Sequence, residues 1–145
     1  MITLRHRWLH FGLLLPVLAL AGCGPRELPK KETYPVRGRI IIGGEPARFV
    51  HVRLEPDNPA KGRPSDGATD EDGVFTLRTY SSEEPDGAVP GRYKVVLEDA
   101  NSSDEFSVPV PKGGKPTVIT QDVREQEVIV DVKDEDNDLG DIAFR

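Results

Sequence analysis

Thiols are almost absent from this chain, whose 145 residues include one cysteine, Cys23. One cysteine excludes an intramolecular disulfide and the paired-thiol chemistry of redox and zinc motifs. Histidine is nearly as scarce: of three, His6 and His10 sit in the first ten positions and only His51 lies further on. The sole tryptophan, Trp8, is also near the start. There is no G-x-S-x-G elbow, no phosphate-cradling glycine loop and no Ser/His/Asp set. Long apolar runs are missing too. The best, "FGLLLPVLALA" from Phe11 to Ala21, is broken by Pro16 and falls short of the roughly 20 residues that span a bilayer. Finally, no stretch carries a helical period, and 13 prolines and 14 glycines argue against long helices.

What is present begins at the N-terminus. Arg5 and Arg7 precede the apolar run, and the small residues Ala21 and Gly22 close it, the three parts of a secretory signal peptide. Leu20-Ala21-Gly22-Cys23 resembles the bacterial lipobox. The resemblance implies cleavage between Gly22 and Cys23, a diacylglycerol on the Cys23 sulfur, and a fatty acyl chain such as palmitate on its new amino group. At about 0.8 kcal/mol per buried CH₂, two or more chains anchor stably where one exchanges off. The expected organisation is a signal peptide over 1–22, a lipidated cysteine and tether over 23–33, and one domain over 34–145. "GPRELPKKE", Gly24 to Glu32, has the composition of a tether, with a reach of roughly 30 Å.

Removing the first 22 residues leaves 17 basic and 25 acidic side chains, a formal charge of −8. That balance argues against nucleic acid or anionic headgroups as partners for the surface. Gly24 follows the cysteine, where aspartate would favour inner-membrane retention in enteric-type bacteria. The expected address is therefore extracytoplasmic and lipid-anchored, at the outer membrane of a diderm bacterium.

From Tyr34 the hydropathy alternates with period two. "YPVRGRIII" sets Val36, Gly38, Ile40 and Ile42 on one face, and Gly43-Gly44 reads as a turn. "FVHVRLE" sends Val50, Val52 and Leu54 inward, with Phe49, His51 and Arg53 outward. A long polar loop is expected over Glu55–Asp72. "GVFTLRTY" then buries Phe75 and Leu77, and "GRYKVVLED" buries Tyr93, Val95 and Leu97. A second irregular stretch, Ala100 to about Gln126, contains "FSVPV" (Phe106–Val110), which reads as an edge strand. "EVIVDV" adds Val128, Val130 and Val132, and "GDIAF" adds Ile142 and Phe144. Six or seven short strands, each with one wet face, describe an all-β antiparallel β-sandwich.

The order "VRGRI", "GGEPARFVHVRLEP", "TDEDGVFTL", "PGRYKVVLED" resembles the carboxypeptidase regulatory-like domain, also called transthyretin-like or prealbumin-like. The matching positions are Val36, Gly38 and Ile40; Gly44 and Pro46; Thr69, Asp70, Asp72, Gly73 and Phe75; and Gly91, Tyr93 and Val95. The family often has glycine where this chain has Phe49. The resemblance implies a seven-stranded sandwich serving as an accessory or binding module, without active-site groups. The same fold includes a 5-hydroxyisourate hydrolase with several histidines and a C-terminal Tyr-Arg-Gly-Ser motif. A chain ending "DIAFR" with His51 alone does not match it.

Chemistry is otherwise thin. His51 reads as a solvated strand-face residue with no visible metal-ligating partner. In "DEDNDLGD", Asp134, Asp136 and Asp138 have the spacing that opens an EF-hand loop. Leu139 and Arg145, however, stand where glycine and glutamate are required, so the segment reads as a solvated hairpin loop, with a weak cation site of another kind as the alternative. No catalytic residue, metal or cofactor is expected. The favoured role is a non-enzymatic envelope domain that binds a protein or stabilises an assembly. A polysaccharide or peptidoglycan module is the alternative, with Phe49, Tyr80 and Phe106 as its stacking surface. A hydrolase built on His51 ranks third.

Overall fold

Gly43 and Gly44 both adopt positive φ (59° and 89°) and reverse the chain between β1 (Val36–Ile42) and β2 (Glu45–Pro46), with Ile42 opposite Glu45. A two-residue turn of this handedness matches the twist of the flanking strands, and glycine reaches it without strain. The computed structural model describes residues 29–81, 83–102 and 106–145. The signal-peptide segment, Gly22, Cys23 and the tether up to residue 28 lie outside them.

Six more strands follow: β3 (His51–Pro56), β4 (Ser65–Ala68), β5 (Val74–Arg78), β6 (Gly91–Glu98), β7 (Val128–Val132) and β8 (Asn137–Phe144), with one helical turn, α1 (Gln121–Arg124), before β7. They form one continuous curled sheet. β5 is where it folds over, pairing with β1 through Val74–Thr76 and with β4 through Leu77 and Arg78. On one side of that fold lie β8, β1 and β2; on the other, β4, β3, β6 and β7 in that order. The two halves face each other as a sandwich over Val36, Ile40, Val50, Val52, Leu54, Phe75, Leu77, Tyr93, Val95, Leu97, Ile142 and Phe144, all buried. These are the positions selected by alternation. Val128 and Val130 are only half-buried against this core, while Val132, Ile119 and Val123 complete it.

Three features depart from the sequence reading. β8 runs parallel to β1, from Val36 opposite Asn137 to Ile42 opposite Phe144, so the sheet is not wholly antiparallel. The chain can return this way because β7 has already crossed back on the other half. β4, "SDGA", lies inside the segment read as a polar loop. Its inward positions are Ser65 and Gly67, which leave no apolar alternation to detect. "FSVPV" forms no strand; Phe106 and Val108 are buried against Phe49 and Ala100 in a second cluster. The segment lies across the outer face of the sheet, and this reverses the environment of Phe49 and His51. Both are buried rather than outward.

The "TDEDG" turn behaves as its residues dictate. Asp70 accepts hydrogen bonds from the amides of Asp72 and Val74 through one carboxylate oxygen, each at 2.9 Å. Gly73 takes φ 76°, and a Cβ there would stand 2.8 Å from the Ile40 carbonyl oxygen. Phe75 is thereby delivered to the core.

Tyr93 is fully buried and donates from its hydroxyl to the Val89 carbonyl at 2.6 Å. Burial pushes its pKa above the ordinary 10.0, because the phenolate would lose hydration. Above pH about 10 the unfolded chain sheds this proton and the folded one keeps it, so stability falls as pH rises through that range. In Tyr93→Phe this alkaline loss is expected to shrink, at the expense of the hydrogen bond, about 1 kcal/mol. Urea unfolding at pH 8 and pH 10.5 checks it; an equal pH dependence in both proteins would contradict it.

Candidate functional site

Pairing across three strands gathers the polar groups of the outer face. Glu98 on β6 and Ala68 on β4 stand directly opposite His51 on β3, and Asp66 lies one diagonal step away. Cross-strand neighbours of this kind share a face and can touch. His51 Nε2 is 2.8 Å from Asp66 Oδ1, and Nδ1 is 3.1 Å from Glu98 Oε2. Both contacts are hydrogen bonds only when both ring nitrogens carry hydrogen, because an ionised carboxylate has none to donate. The ring is 1% exposed. Phe106 closes the top, stacked at 4.4 Å between centroids and 7° between planes, and the Arg78 guanidinium also lies over the Phe106 ring, at 4.4 Å.

This cluster ties the long segment to the sheet. Ser102 Oγ donates to Glu98, Asp99 accepts from the Ile119 amide and pairs with Arg124, and Arg48 and Thr117 exchange two hydrogen bonds. Sequence reasoning missed the site because the strand reads as alternating with His51 on the wet side. The available signal was in the second partner: Phe106 and Val108 are themselves two apart and apolar, a face in need of cover.

Chemically, the arrangement is a buried lock. A general base must reach the proton it removes, and the neighbouring groove of about 180 Å³, lined by Asp66, Arg78, Glu83 and Phe106 among others, does not include His51. The two carboxylates meet different nitrogens of the ring and do not converge on a point where a cation would sit. Among the described residues, no group of three or more His, Cys, Asp or Glu is arranged to hold a metal. The acidic segment is used in pairing: Asp138 with Arg37 at 3.2 Å, and Asp141 with both Nε and an Nη of Arg39 at 2.8 Å. That fork holds the Asp141 carboxyl below its usual 3.8. Asn137, which opens β8, accepts from the Lys133 amide and donates to the carbonyls of Lys133 and Glu135.

The residues expected to form a stacking surface are separated. Phe49 and Phe106 are buried in one cluster, at 5% and 8% exposure. Tyr80 sits at the opposite end of the strands, half-buried and in contact with Lys30 and Lys31. An exposed aromatic platform of these three is therefore not formed, because the 106–119 segment covers the face it needed. Gly22 and Cys23 lie outside the described residues.

Fold and site together define a small, nearly all-β sandwich domain in which the polar cluster at His51 holds a long segment in place. No family model matches the chain, and no curated protein does. Among solved structures it is similar to a DUF3823 family protein from Parabacteroides merdae, with 17% identity and a TM-score of 0.44 over 77% of this chain and 45% of that one. It is also similar to a 9R-lipoxygenase from Cyanothece, with 12% identity and a TM-score of 0.40 over 83% of this chain and 18% of that one. The chain thus spans less than half the length of either protein.

Proposed function

We propose that this chain is a lipid-anchored cell-envelope domain that holds a protein partner and catalyses no reaction. The observation that carries the reading is the polarity of the fold. β1 leaves the tether at Val36 and runs toward the Gly43-Gly44 turn, and the register of β5, β4, β3 and β6 sorts every connection to one end or the other. The tether meets the 57–64 and 79–90 connections at the near end. The far end carries the "TDEDG" turn and the two ends of the long connection between β6 and β7, whose residues 106–109 lie along the outer face beside Asp66, Arg78 and Glu83.

The large apolar side chains exposed among the described residues are Val74, Val110 and Val118, the last at 75%. Val74 opens β5 at the far end, and Val110 and Val118 flank the stretch that packs against Phe49 and Arg48. An anchored domain of this polarity offers its apolar groups away from the bilayer, where a partner can reach them. The four motifs resembling the carboxypeptidase regulatory-like domain support an accessory role, and the lipobox supports the anchor.

Cys23→Ser is the decisive variant. It should move the protein from the membrane fraction to the soluble fraction and abolish labelling by a fatty-acid probe; unchanged partitioning would sink the anchor. A photo-crosslinking residue at Val118 should capture an envelope protein that the same residue at Glu84 does not. Equal capture at both positions would refute the far-end partner.

A further inference from the structure

We infer that residues 29–33 are a latch that docks the tether on its own domain and sets how that domain stands on the membrane; the inference rests on the lipid-anchor reading. The backbone amide of Lys31 donates to the Tyr80 hydroxyl at 2.9 Å. Its ammonium donates to the Ala60 carbonyl at 3.1 Å and also to that of Lys61. The Lys30 ammonium lies 5.7 Å from the centre of the Tyr80 ring, within cation–π range. Three residues further on, Tyr34 and Ala88 exchange backbone hydrogen bonds of 2.9 and 3.0 Å.

The receiving surface is preformed by contacts that do not involve the tether. Asp86 accepts hydrogen bonds from the amides of Thr79, Tyr80 and Ser81, at 2.6, 2.9 and 3.2 Å. It therefore orders the turn that presents Tyr80. Asn58 accepts from the Ala60 amide at 3.0 Å, and its carbonyl accepts from the Lys61 and Gly62 amides. That second turn aims the Ala60 and Lys61 carbonyls outward together, where a lysine ammonium completes them. A disordered spacer would need neither turn.

The consequence is one of length. An unattached tether would allow eleven residue steps from Cys23 to Tyr34, up to about 38 Å of chain. Docking at Pro29–Lys31 leaves six steps, up to about 21 Å. The 57–64 and 79–90 connections are then held close to the headgroups and the far end is turned outward. The near end thus faces the bilayer, held there by the tether.

The test uses full-length lipidated protein in phosphatidylethanolamine/phosphatidylglycerol vesicles. With its only thiol acylated, the chain accepts a unique fluorophore at Glu84→Cys or Val118→Cys. A headgroup-attached quencher should quench the label at 84 several-fold more than the label at 118. Lys31→Ala with Tyr80→Ala should bring the two closer to equality while sedimentation with vesicles is unchanged. Equal quenching in the unmodified tether, or no response to the double substitution, would overturn the latch and leave the anchor standing. Failure to sediment at all would remove the anchor, and this proposal with it. Independently, in the intact Cys23→Ser chain the Lys31 amide should exchange with deuterium at least about tenfold slower than an unstructured amide, and Tyr80→Phe should abolish that protection. Exchange of the Lys31 amide at the unstructured rate overturns docking whether or not the chain is anchored.

Discussion

His51→Ala is expected to lower the unfolding free energy by about 3 kcal/mol, measured by urea denaturation at neutral pH. Leaving buried acceptors without their ring partner costs about 1–3 kcal/mol each, and the vacated ring volume adds to it, about 3–5 kcal/mol in all. Here two carboxylates lose their shared partner. Both keep partial access to water, with side-chain exposures of 31% for Asp66 and 29% for Glu98, which places the effect at the low end of that range. His51→Phe would preserve a ring against Phe106 and still lose both polar contacts, so it should be nearly as damaging. Converting the carboxylates as well, by Asp66→Asn and Glu98→Gln in the His51→Ala background, should restore about 1–2 kcal/mol. A local readout accompanies the global one: cleavage by protease within 106–119 should accelerate, because Phe106 loses its stacking partner. A loss below about 1 kcal/mol for His51→Ala would show that packing, and not the charged contacts, holds the segment.

Phe49 offers a prediction whose sign runs against the usual order. It is the one non-glycine among the described residues with positive φ, at 50°, a conformation costing an L-residue about 1–2 kcal/mol. The cost is tolerated because the ring is buried with Ala100, Phe106 and Val108, and its edge lies 3.1 Å from where a Cβ on Gly114 would stand. Phe49→Ala should lose about 3–5 kcal/mol through the vacated volume, with the backbone strain retained. Phe49→Gly vacates the same volume but releases the strain, and should be more stable than the alanine variant by about 1 kcal/mol. At ordinary positions glycine is the worse of the two. Finding alanine above glycine in thermal or urea unfolding would show that the position carries no strain.

The two results bear on the proposed role in the same way. The far end is loop-built, and its long segment is held by the buried His51 cluster at one point and a strained aromatic at another. A partner would meet a surface that is already shaped, which lowers the ordering cost of association.

Much of this was legible in the order of residues. Alternation identified the inward positions of β1, β3, β5 and β6, because a strand with one buried face must repeat every two residues. "GG" and "TDEDG" announced their turns through the backbone freedom of glycine and the hydrogen-bonding reach of Asp70. The lipobox resemblance at Leu20–Cys23 is likewise read from adjacent residues alone and lies outside the described structure. β4 was illegible because Ser65 and Gly67 contribute no apolar mark, and its place between β3 and β5 follows from pairing alone.

Local pattern therefore specified most of the strands, the two glycine turns and one wall of the core, since each depends on near neighbours. It could not say what covers the other face of the sheet. His51, Asp66 and Glu98 are up to 47 positions apart, and Phe106 arrives from a segment without regular structure. Their meeting depends on strand register and on where an irregular chain comes to rest, which are global outcomes of packing. The same long-range closure turns Tyr80 from a candidate stacking ring into the seat for Lys31, 49 residues earlier in the chain.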